Sequence, residues 1–598
     1  MKKLIIFLLV LCVCIPLFAT GGGQQAQGAG STGRVVTQVT PRPLTVTPQY
    51  GGPEWHPQPA TSYSTNPRYP QQPPVSNTNG FPIVQNSVTM KLAVVYATNI
   101  LDYDDNDATR YMEALTNVKI EWDILPAVNP MERLNLMFAA ADNLPDAVIG
   151  MTLPPTMLIT LGSGGLIIPL EDLIEEHGHG IKMYFDQISG GHASMFAADG
   201  HIYGLSDFAP NTANQVAMRF WINRVFMDTL GMRMPTTTEE YYQYLLAVRD
   251  RDPNRNGIAD EIPLLGSIDS WYSNVDGFLM NAFIINEATT STAGIDERRR
   301  MFITEDGRID VSYNKPEWRE GLAYMNRLHS EGLLATESFT ITNSELRALI
   351  EREGPPIIGS TPNGGPHNFA NTAGDRRTHF EIVPPLRGPR GVQLAMYDEW
   401  LPIRSGRFVI TKDSLIPEVA IKWADYCYSP DWHTRNRYGI LGRDWMIPPA
   451  GTPGVNGNDA LFEEVIRWGT PTNALLGSNN IAWPRFVSYN RTVSPDPFEL
   501  EAVLWDARAK YWPYRFPRSV PRILPFTVDE ARDYNTLNRT LVEYAEQSMA
   551  QFITGQIPLN DANWNNYVQQ IDRLGLPQLL RITQIAFDRT WAEALGYR

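Results

Sequence analysis

The sequence predicts an α/β protein of more than one domain, and three observations carry that reading. Between residues 87 and 151, stretches of strand and helix character alternate, the pattern of a parallel sheet with crossover helices. At 598 residues the chain is too long for a single core, so two or more domains are expected. The third observation is DPNRNGIADE at 252–261, a loop whose oxygen donors suit a hard cation.

In that loop Asp252, Asn254, Asn256 and Asp260 offer side-chain oxygens, with Gly257 after the third. An EF-hand loop takes side-chain ligands from positions one, three and five, a Gly at six and a backbone carbonyl at seven. The fit holds through position nine, with the Ile258 carbonyl at seven and Asp260 at nine. Position twelve, the bidentate Glu of an EF-hand, is Pro263. The loop is therefore not an EF-hand, and Glu261 is the nearest replacement carboxylate. Asp, Asn and Gly also form turns that bind nothing, but so many hard donors repel one another unless a cation sits among them. A structural Ca2+ is expected, since no nucleophile or base adjoins the loop.

Hydrophobic and charged fractions are those of an ordinary globular protein. A net charge of -15 argues against a nucleic-acid partner, which needs a basic surface. The 15 Trp and 25 Tyr supply amphipathic rings that suit a binding surface as well as a core. At the N-terminus, Lys2 and Lys3 precede an apolar run from Leu4 to Ile15 and small residues at Ala19, Thr20 and Gly21. This reads as an export signal over 1–20, too short for a membrane anchor. Its removal leaves Cys427 as the one cysteine and excludes an internal disulfide. A lipid on Cys12 or Cys14 is the competing reading, although Leu11 and Val13, the residues before them, are not small. The protein is expected outside the cytoplasm, in the periplasm or at the cell surface.

Residues 21–86 are Gly/Gln-rich and then Pro-rich, so a disordered or polyproline-like tether is expected. Strand character begins at Ser87 to Ala97 and recurs at Val118 to Leu125 and Ala147 to Met151. Helical spacing fills the gaps at Asp107 to Leu115 and Met131 to Ala141. Ligands of such sheets bind beyond the carboxyl ends of strands, which marks the turn Gly150, Met151, Thr152. Pro235 to Glu240 starts a helix with capping Thr residues and early acids. Ile357 to Pro366 is a buried strand ending in a Gly-rich turn, and Glu418 to Tyr428 is helical. Further helices are clearest at Asp529 to Phe552 and Trp564 to Gly575.

Three segments, MERLNLMFAAADNLPDAVIG, GGLIIPLEDLIEEHG and FAADGHIYGLSDF, resemble the extracellular solute-binding proteins (family 1 type) that feed sugar ABC importers. The stretch from Arg219 to Gly266, which ends in the cation loop, resembles the branch containing alginate-binding and aldouronate-binding proteins. The resemblance runs from about residue 88 to 450, and it includes GILGRDW at Gly439 to Trp445 near a hinge. It implies a two-lobe, type II-like periplasmic-binding-protein fold with parallel-sheet lobes, a hinge crossed more than once, and extra C-terminal helices. Lobe one would take 87–210 and 405–445, and lobe two 211–404 and 446–598. The function implied is capture of an oligosaccharide by a monomeric receptor. Delivery would be to membrane permease subunits, with ATP hydrolysed elsewhere.

Sugar recognition requires aromatic faces for pyranose rings and planar polar groups for hydroxyls. The local candidates are Trp271 with Tyr272, Trp400 beside Asp398 and Glu399, Trp445 beside Arg443 and Asp444, and Trp483 near Arg485. Arg219, at the implied hinge, and Asp146, after the LPD turn that Asp142 opens, complete the set. Each Trp has a core residue as its plainer reading, and each Asp a turn or cap. His177, His179, His192 and His201 raise a zinc reading, but their spacing fits neither a helical nor a finger site, and the glycines around them suggest exposed loops. Glu297 to Arg300 reads as a solvated charge run. No G-x-S-x-G, H-E-x-x-H or Walker loop occurs. A secreted glycosidase or lyase, and a receptor for a peptide or other solute, are the alternatives to the oligosaccharide receptor.

Overall fold

The structure, a computed structural model, describes residues 58–597 apart from 78, 98, 128, 187–190, 192–193, 209–211, 288, 291–295, 298–299, 372–373, 399–402, 467–469 and 478–489. The expected export signal and the first part of the tether lie outside that range.

The first lobe is built on a five-stranded sheet. Its strands are β1 (Val88–Val95), β2 (Val118–Leu125), β3 (Ala147–Ile149), β4 (Leu205–Phe208) and, much later in the chain, β8 (Ile403–Ile410), in the order β2-β1-β3-β8-β4. β1 runs parallel to β2 and to β3, joined by the crossover helices α1 (Asp107–Thr116) and α2 (Pro130–Ala140). α1 begins at Asn106, whose side chain accepts the Ala108 N–H, and stops at Asn117 in a left-handed conformation. β8 is antiparallel to β3 and β4, because it returns from the other lobe and not through a crossover helix.

Strand periodicity divides this sheet between two cores. Leu92, Val94, Ala147, Ile149, Phe408 and Ile410 face one cluster, shared with α4 (Glu171–His177), α5 (His179–Asp186), α9 (Pro417–Tyr426) and α10 (Pro430–Tyr438). Ala93, Val148 and Val409 face the opposite cluster, which continues into the second lobe. That second face carries α3 (Pro155–Ser163).

The second lobe holds β5 (Phe220–Asn223) between β6 (Ser360–Pro362) and β7 (Phe380–Val383), both antiparallel to it. The expectation of parallel sheets in both lobes is thus met only by β2-β1-β3. In the second lobe the chain re-enters the sheet from its far end without a crossover. α6 (Arg224–Leu230), α7 (Thr238–Asp250) and α8 (Pro316–Ser330) pack around this sheet. α7 opens with a capping box between Thr237 and Glu240, as the PTTTEE segment predicts.

Two boundaries differ from those expected. Residues 58–86 are not free chain where the structure describes them: Gln58–Pro59 pairs with Gly80–Phe81, and Tyr63–Ser64 with Val75–Ser76. Val75, Ile83 and Val84 are buried in the first lobe. A few apolar anchors, diluted among prolines, hold this arm down where average composition suggests none. Residues 472–477 also return to the first lobe, with Asp107 N–H donating to the Asn473 carbonyl at 2.7 Å and Leu476 in its core.

After that return come α11 (Leu500–Tyr511), α12 (Val528–Ile553), α13 (Asp561–Arg573) and α14 (Leu576–Ala594). α12 packs on α3 of the first lobe and on α8 of the second. The segments that cross between lobes run together: Asp398 N–H donates to the Gln215 carbonyl at 2.9 Å, and Ala395 N–H to the Tyr514 carbonyl at 2.8 Å.

Candidate binding cleft

At the crossing segments Ala217, Met218, Tyr272 and Met396 form a small buried cluster against which the half-buried Trp271 packs. The ring has a specific seat. Gly364 N–H donates to the Trp271 carbonyl at 2.8 Å, and a Cβ on Gly364 would lie 2.1 Å from the indole. Only glycine fits beneath it, which explains the Gly-rich turn after β6. Tyr272, at φ 53°, turns the chain so that its own ring is buried while Trp271 stays half-exposed. The two ring centroids are 5.7 Å apart, and His367 lies 6.4 Å from Trp271. Burial, helped by the Arg219 and Arg347 charges, pushes His367 down to about 4, so it is neutral at physiological pH and can donate or accept.

Arg219 does not reach into open space. It is fully buried, donating to the Gly364 carbonyl at 2.5 Å and to the Ala213 carbonyl. Burial lowers it to about 10. The residue therefore ties the first crossing to the turn under Trp271, with its buried Nε left without a hydrogen-bond partner among the described residues.

α11 brings a face the sequence reading missed. Leu504 reaches the space over Gly365. On the same side of the helix Arg508 stacks between Trp505 and Trp512, 4.5 and 4.2 Å from their centroids. Its Nε donates to Thr212 Oγ1 in the first crossing at 2.8 Å. Tyr397, from the second crossing, meets Trp512 edge-on at 5.4 Å. The spacing of Trp505, Arg508 and Trp512, at i, i+3 and i+7, is one helical face and was legible as such. Glu501, one turn earlier, is pushed up to about 7 by burial, with the Arg491 charge opposing and Glu499 adding to the rise.

On the first lobe, the turn after β3 is held by Arg407, which donates to the Gly150 carbonyl and lies 3.2 Å from Asp207. Arg404 donates to the other oxygen of that fully buried Asp207 at 2.9 Å. Gly150–Thr152 thus stands at the carboxyl end of β3, as expected for a ligand-binding edge. Asp146 lies at the opposite end of the strand, accepting the Lys91 N–H at 2.8 Å and the Ser414 hydroxyl at 2.9 Å. There it clamps the turn before β3 to β1 and to Ser414. Trp445 is also withdrawn: it is 9% exposed, packs with Tyr438 and Phe462, and donates its Nε1–H to the Gly439 carbonyl. Glu399, Trp400 and Trp483 lie outside the described residues. A separate shallow crevice between α3, β4 and Ile523–Phe526 has no charged side chain in its lining.

The acidic loop follows α7 and stands against the Arg352–Pro356 turn. Asp252 accepts the Asn256 and Gly257 N–H groups, at φ 45°. Both Asn254 and Asn256 turn their amides onto Asp260 Oδ1, at 3.1 and 3.0 Å. Burial raises Glu261, and the nearby charges of Asp252 and Asp260 add to it. The two amides face Asp260 through their N–H groups, while their oxygens accept the Asn256 and Ile258 N–H groups. In kind, the carboxylates and amide oxygens of this loop are a donor set that fits Ca2+. Asp252, Asn254, Asn256, the Ile258 carbonyl, Asp260 and Glu261 are the residues that would hold it.

No protein-family profile matches the sequence. Among curated proteins, the chain is 26% identical over 489 residues to FusA, the fructooligosaccharide ABC transporter substrate-binding protein of Streptococcus pneumoniae. That match covers 80% of this chain and 86% of FusA. The chain is a relative of sugar ABC-transporter substrate-binding proteins. The structure of FusA with kestose superposes with a TM-score of 0.68 over 84% of this chain and all of that one, at 22% identity. FusA has also been solved as an EF-hand mutant. A milk-oligosaccharide-binding protein of Bifidobacterium longum infantis gives 0.70 at 19% identity, over 84% of this chain and 99% of that one. The alginate-binding protein AlgQ2, solved without calcium ion, gives 0.63 at 20% over the same shares. The fold is thus the two-lobe solute-binding fold. Among the described residues no helix is long and apolar enough to cross a membrane.

Proposed function

We propose that this protein is the exported receptor of an ABC importer. It captures an oligosaccharide between its two lobes and presents the closed form to membrane permease subunits. The observation that carries this reading is the seat of Trp271, a half-buried ring laid on a glycine turn where residues of two crossings meet. A flat apolar face fixed at a hinge is what a pyranose or furanose ring stacks on. His367 and the α11 face of Trp505, Arg508 and Trp512 line the same junction and supply further stacking and hydrogen-bonding groups. Capture without chemistry agrees with the relatives, which are binding proteins. The calcium loop, which lies between α7 and Trp271 in sequence, acts as a staple holding the end of that helix to the Arg352–Pro356 turn. The lobe boundaries follow the two sheets, with the arm and residues 472–477 added to lobe one.

A thermal-shift screen of the exported chain against neutral and acidic oligosaccharides tests this. One class should raise the melting temperature, because ligand at a hundredfold over Kd adds about 2.7 kcal/mol to the folded state. Trp271→Ala should weaken that ligand by about 2 kcal/mol, roughly thirtyfold. Removal of calcium by chelator should lower the unliganded melting temperature. No response to any saccharide, or sugar products appearing on incubation, would overturn the receptor reading.

A further inference from the structure

Away from the cleft, on the outer face of the first lobe, Glu176 and His177 at the end of α4 meet Glu418 in the first turn of α9. We propose that these three residues form a zinc site that clamps the N-terminal arm to the lobe. The carboxylate oxygens and the imidazole nitrogen all lie within 4.8 Å of one another. His177 Nε2 is 3.4 Å from Glu418 Oε1 and 3.7 Å from Glu176 Oε2. The buried Nε2 makes no well-aligned hydrogen bond among the described residues, although Glu418, which burial alone would raise, is near enough to be held down by the imidazole. Ligands about 2.0–2.2 Å from a tetrahedral zinc stand roughly 3.3–3.6 Å apart, the edge of that tetrahedron. The 3.4 and 3.7 Å separations of His177 Nε2 from the two carboxylates are close to that edge. One nitrogen and two carboxylates are also a zinc-type donor set, distinct from the all-oxygen calcium loop.

What surrounds the cluster gives the ion a task. Glu418 is 2% exposed, and its carboxylate takes donors from two arm residues, Asn66 Nδ2 and Gln72 Nε2. Gln72 Oε1 in turn accepts the Glu418 N–H at 3.2 Å. These contacts orient the ligand, as outer partners of zinc ligands do. Metal and arm are coupled through one carboxylate: Asn66 donates to Oε1, the oxygen that faces His177, and Gln72 to Oε2. Filling the site stiffens residues 66–72 of the arm, between the paired segments Tyr63–Ser64 and Val75–Ser76.

The test is a calorimetric titration of ZnCl2 into the full exported chain with calcium in excess, so that the loop at 252–261 is saturated. One equivalent of zinc should bind, with X-ray absorption showing one nitrogen and otherwise oxygen neighbours. His177→Ala should weaken binding at least roughly tenfold, whereas His201→Ala, at the histidine paired with Glu171, should not. Zinc should also slow proteolytic cleavage of the arm in the wild type, and this protection should vanish in His177→Gln. An unchanged melting temperature of the metal-free variants shows that they fold. Failure of the wild type to bind zinc, or equal binding by wild type and His177→Ala, would overturn the proposal.

Discussion

Two arginines are buried with almost no surface, and their surroundings are opposite. Arg300 in the second lobe donates to Asp276 at 2.8 Å, to Asn286 Oδ1 at 2.6 Å and to Glu546 of α12, and lies 4.9 Å over Trp318. Burial works against its charge, but Asp276 and Glu546 outweigh it and raise its pKa. Arg219, at the crossing, has two carbonyls and no hydrogen-bonded carboxylate among the described residues, and burial lowers it. A charge balanced within the frame is scaffold, joining α12 to the lobe it covers. A charge left on carbonyls at the lobe junction holds parts together more weakly, and those are the parts that must move when lobes close. The contrast separates what is rigid in this molecule from what is poised.

The largest effect should come from breaking the balanced site. Arg300→Met leaves Asp276, 1% exposed, with a buried charge and no cation. The cost should be about 3–5 kcal/mol in chemical denaturation, with little change in ligand affinity once folded. Replacing Asp276 by Leu in the same chain should recover most of it. If Arg300→Met were nearly neutral, the description of this region as frame would fall.

Arg219→Met should cost less stability, about 1–3 kcal/mol, since it orphans two carbonyls and no carboxylate. Its effect should appear instead at the cleft. Without the guanidinium, His367 should titrate above its present value of about 4, a shift visible by NMR. Ligand affinity should drop because the turn beneath Trp271 loses its tie to the first crossing. An unmoved His367 would show that the two groups do not share the junction.

Much of this was readable beforehand where local rules acted alone. The alternation from Ser87 to Met151 and the capping box of α7 are short-range signals, and each stands where the sequence placed it. Trp271 was found because Trp beside Tyr is conspicuous, but its seat on Gly364, 93 residues later in the chain by number, was not legible. Burial is what the sequence leaves unsaid: Trp445 is enclosed by its near neighbours Tyr438, Gly439 and Phe462, and Arg219 by Ala213 and the distant Gly364. Arg300, read as part of a solvated run, is drawn inside by Asp276 and Glu546. His177 acquired a partner, Glu418, from 241 positions away. The α11 face was readable by spacing alone, and was passed over because no strand or motif announced that helix.

The smallest effect expected sharpens the contrast at the junction itself. Glu501 stands on α11 among Arg491, Glu499, Arg437 and Glu464. Its carboxyl is pushed up to about 7 from an ordinary 4.5, chiefly by burial. The folded chain therefore holds a proton there that the unfolded chain has released between those values. This contribution to stability is complete below about pH 4.5 and is lost as pH rises through 7. Glu501→Gln carries the neutral form at every pH, so it should stabilise the protein by on the order of 1–3 kcal/mol at pH 8 and by nothing near pH 4.5. Melting temperatures of both chains across that range would show converging curves. Parallel curves would mean that Glu501 keeps its charge through the arginines nearby, and that the junction is as well balanced as the frame around Arg300.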